Sequence, residues 1–368
     1  MILLLAVHDK TYPRNQLLRR KLSEAGAAPV RLVEIEWARG RLSRLARLVS
    51  RGFSESRDCT VVFVSEFGLQ YAIVGWAIAK YRGVPLVVDH FVGVYETHVL
   101  DYGRTSAQTA RALYFRFIDW LAFRLADYAT IDTATRADLL ELRYRPQTRK
   151  TFVLPVGAPS WSKRMWSTPA ENARLEVLYY GNYIPLHGVQ YVIDSLALLD
   201  DGTDLHVTLI GSSNDRRPGI ELAVAKLGVE DRVTFIDSVP EPELAAHIER
   251  SHVVLGIFGR SEKAASVLAN KLWQGLYAGR TVINRDSRAV DELSGIVGDQ
   301  LVAVDETDPL SLSRTLTRLA ARPWTAIFDP PTDRLDDFVD CHFRRLFTPL
   351  SLWQDDNDLR RGTEYPLS

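Results

Sequence analysis

A strand, a polar loop, a helix and a second strand succeed one another between His252 and Asp286, and that order leaves few folds open. Val253 to Phe258 is a short apolar run of β-forming residues, which Gly259-Arg260-Ser261-Glu262-Lys263 cannot extend. The pattern predicts a helix from about Val267 to Tyr277, stopped by Gly279, and a buried strand opening at Thr281-Val282-Ile283. A strand–helix–strand unit of this length is a crossover in a parallel sheet. Ligands of such sheets sit at the carboxyl ends of the strands. Gly259 through Lys271 would line that edge.

The residue types there suit an anion. Lys263 and Lys271 bring two ammonium groups near a helix start, where free N–H groups and the helix dipole also favour phosphate. Asn270 and Gln274 are four residues apart, so they share a helix face and can give amide hydrogen bonds to a sugar or ribose. A solvated loop carrying two ordinary surface lysines fits the same residues equally well.

The alternation runs through the whole chain. Strands are predicted at 1–7, 30–35, 60–64, 86–89, 128–131 and 151–154, with helices between them. A second series starts at Leu175 to Tyr180 and continues through strands at 206–210, 233–236 and 301–304 and the opening unit. Between the series, Pro155 to Pro169 holds three prolines and little apolar periodicity, which reads as an interdomain linker. The expected architecture is α/β: two Rossmann-like, doubly wound parallel-sheet domains, at 1–160 and 170–330, facing a cleft. The tail from about 335 to 368, with Phe338, Phe343, Phe347 and Trp353, is too apolar to be free. It is expected to pack back on the first domain.

Composition narrows the function. Lys and Arg number 45 against 46 Asp and Glu, a formal net charge of -1, which gives no reason to expect nucleic acid as a partner. Cys59 and Cys341 form no metal spacing, and no metal is expected. The first apolar run, Ile2 to Val7, reads as a strand, and no run approaches the roughly 20 residues of a membrane span, so a cytoplasmic protein is expected. GxGxxG, P-loop spacing, HExxH and GxSxG are absent, which argues against a dehydrogenase, a nucleoside triphosphatase, a zinc protease and a serine hydrolase.

Several segments together resemble one known family. They are Leu178-Tyr179-Tyr180-Gly181-Asn182-Tyr183-Ile184-Pro185-Leu186-His187-Gly188, Val207 to Gly211, Leu227-Gly228, Asp231-Arg232-Val233, the stretch 252–283 and Asp291-Glu292-Leu293. Tyr12-Pro13-Arg14-Asn15, Asp89-His90 and Leu154-Pro155-Val156-Gly157 match more loosely. The second half resembles the donor-binding half of glycosyltransferases with the GT-B fold, most closely family 4. That resemblance implies transfer of a sugar from a nucleotide diphosphate-sugar, with retention and with no metal or cofactor. It places Gly181, Asn182, His187, Lys263, Asn270, Lys271 and Gln274 on the donor, and His90 and Lys271 at the chemistry. His8, Asp9 and Glu96 would face the acceptor, a glycan, a lipid-linked molecule or a small molecule. For His90 a strand-end role satisfied by backbone is the competing reading, for His8 and Asp9 a plain loop role, and for Glu96 a solvated loop carboxylate.

The family pattern is broken at four positions. Asn182 and His187 stand where arginine and lysine usually grip the diphosphate, and Ser266 and Gln274 stand where two glutamates usually meet the sugar and ribose. Gln274 can still bond a ribose, whereas Ser266 cannot replace a carboxylate, and Lys263 and Lys271 would supply the missing charge. A sugar-nucleotide epimerase on the same fold, and a degenerate homologue that binds a nucleotide or partner without turnover, are the alternatives. One further stretch bears on the acceptor. Arg39 to Arg51 plots as an amphipathic helix, with Leu42, Leu45, Ala46 and Val49 opposite Arg44, Arg47 and Arg51. Peripheral contact with the inner membrane face would suit a lipid-linked acceptor. An ordinary packed helix is the stronger reading, because the apolar stripe is narrow and has no aromatic residue.

Overall fold

The structure, a computed structural model, describes residues 1–25, 29–36, 40–101, 105–163, 174–212, 216–321 and 331–352. Two six-stranded sheets organise it. The first contains β1 (Ile2–Val7), β2 (Val30–Glu34), β3 (Val61–Val64), β4 (Leu86–Asp89), β5 (Tyr128–Ile131) and β6 (Thr151–Val153) in the order β2-β1-β3-β4-β5-β6. The second contains β7 (Leu175–Tyr180), β8 (Leu205–Ile210), β9 (Val233–Ile236), β10 (Val253–Leu255), β11 (Thr281–Arg285) and β12 (Leu301–Val304) in the order β12-β11-β10-β7-β8-β9. Every pairing is parallel. Chain order reverses between β1 and β3 in one sheet and between β7 and β10 in the other. The loops leaving those strands diverge and open a crevice at each switch point.

Strand alternation divides the first sheet's core in two. Ile2 and Leu4 of β1, with Val61 and Phe63 of β3, pack on Leu17, Leu18 and Leu22 of α1 (Pro13–Glu24). Leu3, Leu5, Val62 and Val64 point the other way, onto α2 (Arg41–Glu55), α3 (Ala72–Arg82) and α4 (Ala110–Leu125). α5 (Ala134–Tyr144) follows on β5 and β6. Caps set several of these ends: Thr109 accepts from Ala112 N at 3.2 Å, Thr133 accepts from Arg136 N at 3.1 Å, and α3 stops at Gly83 with φ 69°.

The second sheet is flanked by α6 (Val189–Leu196), α7 (Arg217–Leu227), α8 (Glu241–Arg250), α9 (Asn270–Tyr277), α10 (Arg288–Val297) and α11 (Pro309–Ala320). α9 is shorter than the pattern predicted. Ser261 Oγ takes Ala264 N at 3.1 Å and the Lys263 carbonyl takes Ser266 N at 3.0 Å, so Glu262 to Ser266 close into turns ahead of the helix.

The last described helix, α12 (Thr332–Phe347), returns to the first sheet. It packs against β6, and Leu335, Val339, Phe343, Leu346 and Phe347 join the core that holds Ile2 and Leu4. Asp340 pairs with the nearly buried Lys21. The same helix touches α9, through Tyr277 Oη on Asp336 at 2.7 Å and Phe338 on Trp273 with centroids 6.3 Å apart. Trp353, and residues 164–173 around the end of the proline-rich segment, lie outside the described residues.

Candidate functional site

The second sheet's carboxyl edge brings two backbones into contact. Phe258 N donates to the His187 carbonyl at 3.0 Å and Gly259 N to the Leu186 carbonyl at 3.2 Å, so the loop after β10 lies on the loop after β7. A Cβ on Gly188 would stand 2.4 Å from the Phe258 carbonyl carbon, and φ there is +63°, which explains glycine at this contact. Arg285, at the end of β11, holds the same loop from the other side through Gly259 O and is itself paired, at 2.6 Å, with Glu306 of the loop after β12.

Gly181 ends β7 with φ +129°, and the space a side chain would take belongs to two others. An added Cβ would lie 3.1 Å from His187 Cε1 and 3.3 Å from Lys271 Nζ. Lys271, the second residue of α9, is 4% exposed. Its ammonium lies over the Tyr179 ring, 4.0 Å from the centroid, and Nζ has no hydrogen-bond partner among the described residues. Burial drives its pKa well below the ordinary lysine value. A cation–π contact returns only a part of the lost hydration.

His187 belongs to the same cluster. Its Nδ1 is 2.5 Å from the Asn182 carbonyl oxygen and 2.9 Å from Tyr179 Oη. A carbonyl only accepts, so Nδ1 carries the ring proton and Nε2 keeps a lone pair. Burial, and then Lys271, push the imidazole well below its usual pKa. In that neutral state Nε2 offers no proton to a phosphate; a second proton must arrive first. Gln274 is buried, and its carbonyl accepts from Tyr180 Oη at 2.7 Å. Asn270 is half-buried at the start of α9, and Asn182 is exposed with its amide oxygen 3.2 Å from Ser212 Oγ. Gly181, Asn182, His187, Lys271 and Gln274 thus form one group, stitched by Tyr179 and Tyr180.

Lys263 goes elsewhere. It lies 4.0 Å from Glu96 of the first domain, with its side chain 10% exposed. Of the two readings of Glu96, facing an acceptor or a solvated loop carboxylate, the structure overturns the second, because the side chain is largely buried and ion-paired. Glu96 opens a π-helical turn, Glu96–Asp101, and is held by Arg136 at 2.7 Å and Arg143 at 3.7 Å. Burial raises its pKa, but the arginines win and hold it below the usual range. Ser266 gives its hydroxyl to Lys263 O at 3.1 Å, and its own carbonyl takes Thr133 Oγ of the first domain at 2.7 Å.

The first sheet's carboxyl edge is dense with satisfied charge. Arg14 bonds both oxygens of Asp89, at 2.6 and 2.8 Å, and the Leu154 carbonyl at 2.6 Å. Asn15 bonds Glu66 at 2.8 Å, and Ser65 bonds both. Arg136 joins Asp132 at 2.6 Å to Glu96. Apart from Glu96, sequence reasoning named none of these carboxylates and arginines as site residues. Arg14, Asn15 and Asp89 fall in segments that loosely match the family, whereas Glu66, Asp132 and Arg136 stand in none of the matching segments. His90 is buried, with its ring edge-on to Phe123 at 5.6 Å, and burial lowers its pKa to about 4. His8 and Asp9 are exposed. His8 leans on Phe67, and Asp9 closes a local turn on Thr11 through two 2.7 Å bonds.

Across the domains runs a polar seam. Glu292 of α10 accepts from Ala134 N, Thr135 N and Thr135 Oγ, each at 2.9 Å, and so caps α5 of the opposite half. Arg143 reaches Glu262 at 3.5 Å.

Comparison with known proteins fits this geometry. Residues 163–272, which carry the cluster except for Gln274, match the family model of glycosyl transferases, group 1. No curated protein matches the chain in sequence. Among solved structures, the chain resembles sucrose-phosphate synthase from Thermosynechococcus elongatus at 15% identity and a TM-score of 0.71, covering 95% of this chain and 98% of that one. Anabaena HepE in complex with UDP matches at 13% identity and a TM-score of 0.67, covering 95% and 99%. WaaG, a glycosyltransferase involved in lipopolysaccharide biosynthesis, matches at 14% identity and a TM-score of 0.57, covering 91% and 98%. The fold is GT-B: two Rossmann-like domains facing one another, the second holding most of the segment that matches glycosyl transferases, group 1.

Proposed function

We propose that this chain is a glycosyltransferase that moves a sugar from a nucleoside diphosphate-sugar to an acceptor hydroxyl. The transfer is retaining, of the family 4 type, and uses neither metal nor cofactor. The acceptor is a glycan, a lipid-linked molecule or a small molecule, met on the cytoplasmic side. The observation that carries the reading is Lys271, a buried amine without a hydrogen-bond partner among the described residues, at the sheet edge that the family match covers.

A diphosphate beside Nζ supplies the counter-charge that the protein omits. It draws a proton onto Lys271, and a second onto His187, whose Nε2 then becomes a donor. During transfer the bond from the anomeric carbon to the diphosphate breaks as the acceptor oxygen bonds that carbon and gives up its proton to the departing diphosphate. Negative charge grows on the departing diphosphate, and the Lys271 ammonium stands where that charge develops. Asn270 and Gln274 are within the same helix turn to hydrogen-bond ribose or sugar hydroxyls. His90 borders the first-domain side, and Glu96, His8 and Asp9 lie along the acceptor half.

A second reading is favoured by Ser266, whose hydroxyl is already given to Lys263 O. With no carboxylate at that place the chain would bind a nucleotide without turnover. The epimerase alternative finds less support, since Glu96 is paired with arginines and His90 packs on Phe123.

The test is a thermal-shift panel of UDP, GDP, ADP, dTDP and their sugars on wild type and Lys271→Met. A nucleoside diphosphate at a hundredfold excess over its Kd should stabilise the wild type by about 2.7 kcal/mol. The variant should lose that shift. If no nucleotide moves the melt, the donor reading is wrong. If one does, but its sugar is neither transferred nor hydrolysed over hours, the binding-only reading replaces it.

A further inference from the structure

The first domain carries a surface that the donor site does not explain. α2, α3 and α4 lie side by side on one face of the sheet, α2 packing on α3 and α3 on α4. Their outward residues are unusually apolar. α4 exposes Leu113, Tyr114, Phe117 and Trp120, α3 exposes Ile73, Trp76 and Tyr81, and α2 exposes Leu42 and Leu45. Phe117 and Trp120 of α4 lie with centroids 5.7 Å apart, Tyr81 of α3 meets Phe53 of α2 at 5.6 Å, and α3 packs directly on α4, which sets the two groups side by side. Scattered apolar residues on a surface need no explanation, but a contiguous aromatic patch does.

Charge says what covers it. Arg41, Arg44, Arg47 and Arg51 lie on α2, Lys80 and Arg82 on α3, and Arg111, Arg116 and Arg124 on α4. Against them stand Glu55, paired with Arg31 at 3.4 Å, Glu36 just ahead of α2, paired with Arg47 at 2.6 Å, and the buried Asp119. The chain as a whole is near neutral, at -1, so the basic residues are concentrated on this face. On α4 the helical spacing sets Arg116 and Arg111 on either flank of the aromatic stripe and Arg124 at its far end. Arg116 lies over Tyr95 at 4.7 Å and Arg111 over Phe115 at 5.4 Å, postures that leave their stems on apolar surface. No helix among the described residues is long and apolar enough to cross a membrane.

We propose that the α2–α4 face docks on an anionic lipid bilayer, with the α3 and α4 aromatics in the headgroup region and the arginines on the phosphates. Tyrosine and tryptophan have an apolar body and a polar tip suited to that depth, and cationic flanks add attraction to anionic headgroups. α2 alone had a narrow stripe without aromatics; its neighbours in the fold provide them. The N-terminal end of α4, with Leu113 and Tyr114, lies at the carboxyl edge of the sheet, so a bilayer on this face borders the acceptor half of the cleft.

The experiment is co-sedimentation, without nucleotide, with vesicles of phosphatidylcholine alone and with about one third phosphatidylglycerol. Wild type should bind the anionic vesicles, weakly the neutral ones, and less as salt rises. Phe117→Ser/Trp120→Ser and, separately, Lys80→Glu/Arg124→Glu should each lower partitioning about tenfold or more while melting as wild type does. All four side chains are exposed, so folding should survive. Wild type that ignores the anionic vesicles, or variants that bind as wild type does, would overturn the proposal. So would light scattering that finds a dimer which the aromatic double variant turns into monomer; the face would then join two copies.

Discussion

The carboxyl edges of the two sheets differ in how they leave one buried cation, since Arg285 of the second is paired with Glu306 as the arginines of the first are paired with theirs. In the first domain each buried charge described above finds an opposite charge or a hydrogen bond: Arg14 with Asp89, Glu66 with Asn15 and Ser65, Arg136 with Asp132 and Glu96. In the second, Lys271 is buried on a ring face with no acceptor, and the adjacent His187 is held neutral. An edge whose charges are already paired gains little from a charged ligand, although His90 Nε2 and Asp132 Oδ2 there are buried without a hydrogen-bond partner among the described residues. An edge with a missing anion is unfinished until one arrives.

The contrast can be broken most violently on the paired side. Arg14→Met strands Asp89 in the core and should cost about 3–5 kcal/mol, read as a lower urea midpoint; adding Asp89→Asn should recover part of it. The pH dependence of nucleotide binding is the next effect in size. Lys271 and His187 are both held below their ordinary pKa, and an anion raises both, so binding takes up protons. Affinity should therefore fall as pH rises above the free-site values, by up to about tenfold per unit for each proton taken up. Calorimetry in buffers of different ionisation enthalpy counts those protons.

A smaller effect has the opposite sign from most core substitutions. Lys271→Met should raise the melting temperature of the nucleotide-free protein, by about 1 kcal/mol of stability, because the buried amine gives way to an apolar chain of similar length. The folded-state pKa of this lysine is depressed, so its penalty is full below that value and vanishes above the unfolded pKa. The advantage of the variant should shrink as pH is raised toward 10. An unchanged advantage would mean that packing, not charge, separates the two proteins. Smallest is Glu292→Gln, which keeps the size of the cap on α5 and removes its charge. A loss of under about 1 kcal/mol is expected, with a slightly larger radius of gyration in solution scattering.

Fold was far more legible than site. Strands such as Leu175–Tyr180, Val233–Ile236 and Leu301–Val304, and the helix Glu241–Arg250, follow from local apolar runs and from proline at a helix start. The π-helical turn at Glu96–Asp101 and the late start of α9 did not, since both depend on partners distant in sequence or on side-chain competition for backbone. Lys271 was singled out for its place at a helix start, but its isolation over Tyr179 was not readable. That requires knowing that Gly181 leaves room for it. Lys263, equal to Lys271 in the sequence, belongs to the interdomain seam because Glu96 sits opposite. The buried pairs of the first domain join positions as far apart as Arg14 and Leu154, which no local pattern links.

The return of α12 to the first sheet has a mechanical meaning. The chain passes between the halves twice, once between β6 and β7 and once between α11 and α12, so the second sheet is an insert within the first. A body tethered at one point can swivel in any direction. Tethered at two, it turns about the line through both, as a door does. We expect any opening of the cleft to follow an arc about that line, parting Glu292 from α5 and Arg143 from Glu262.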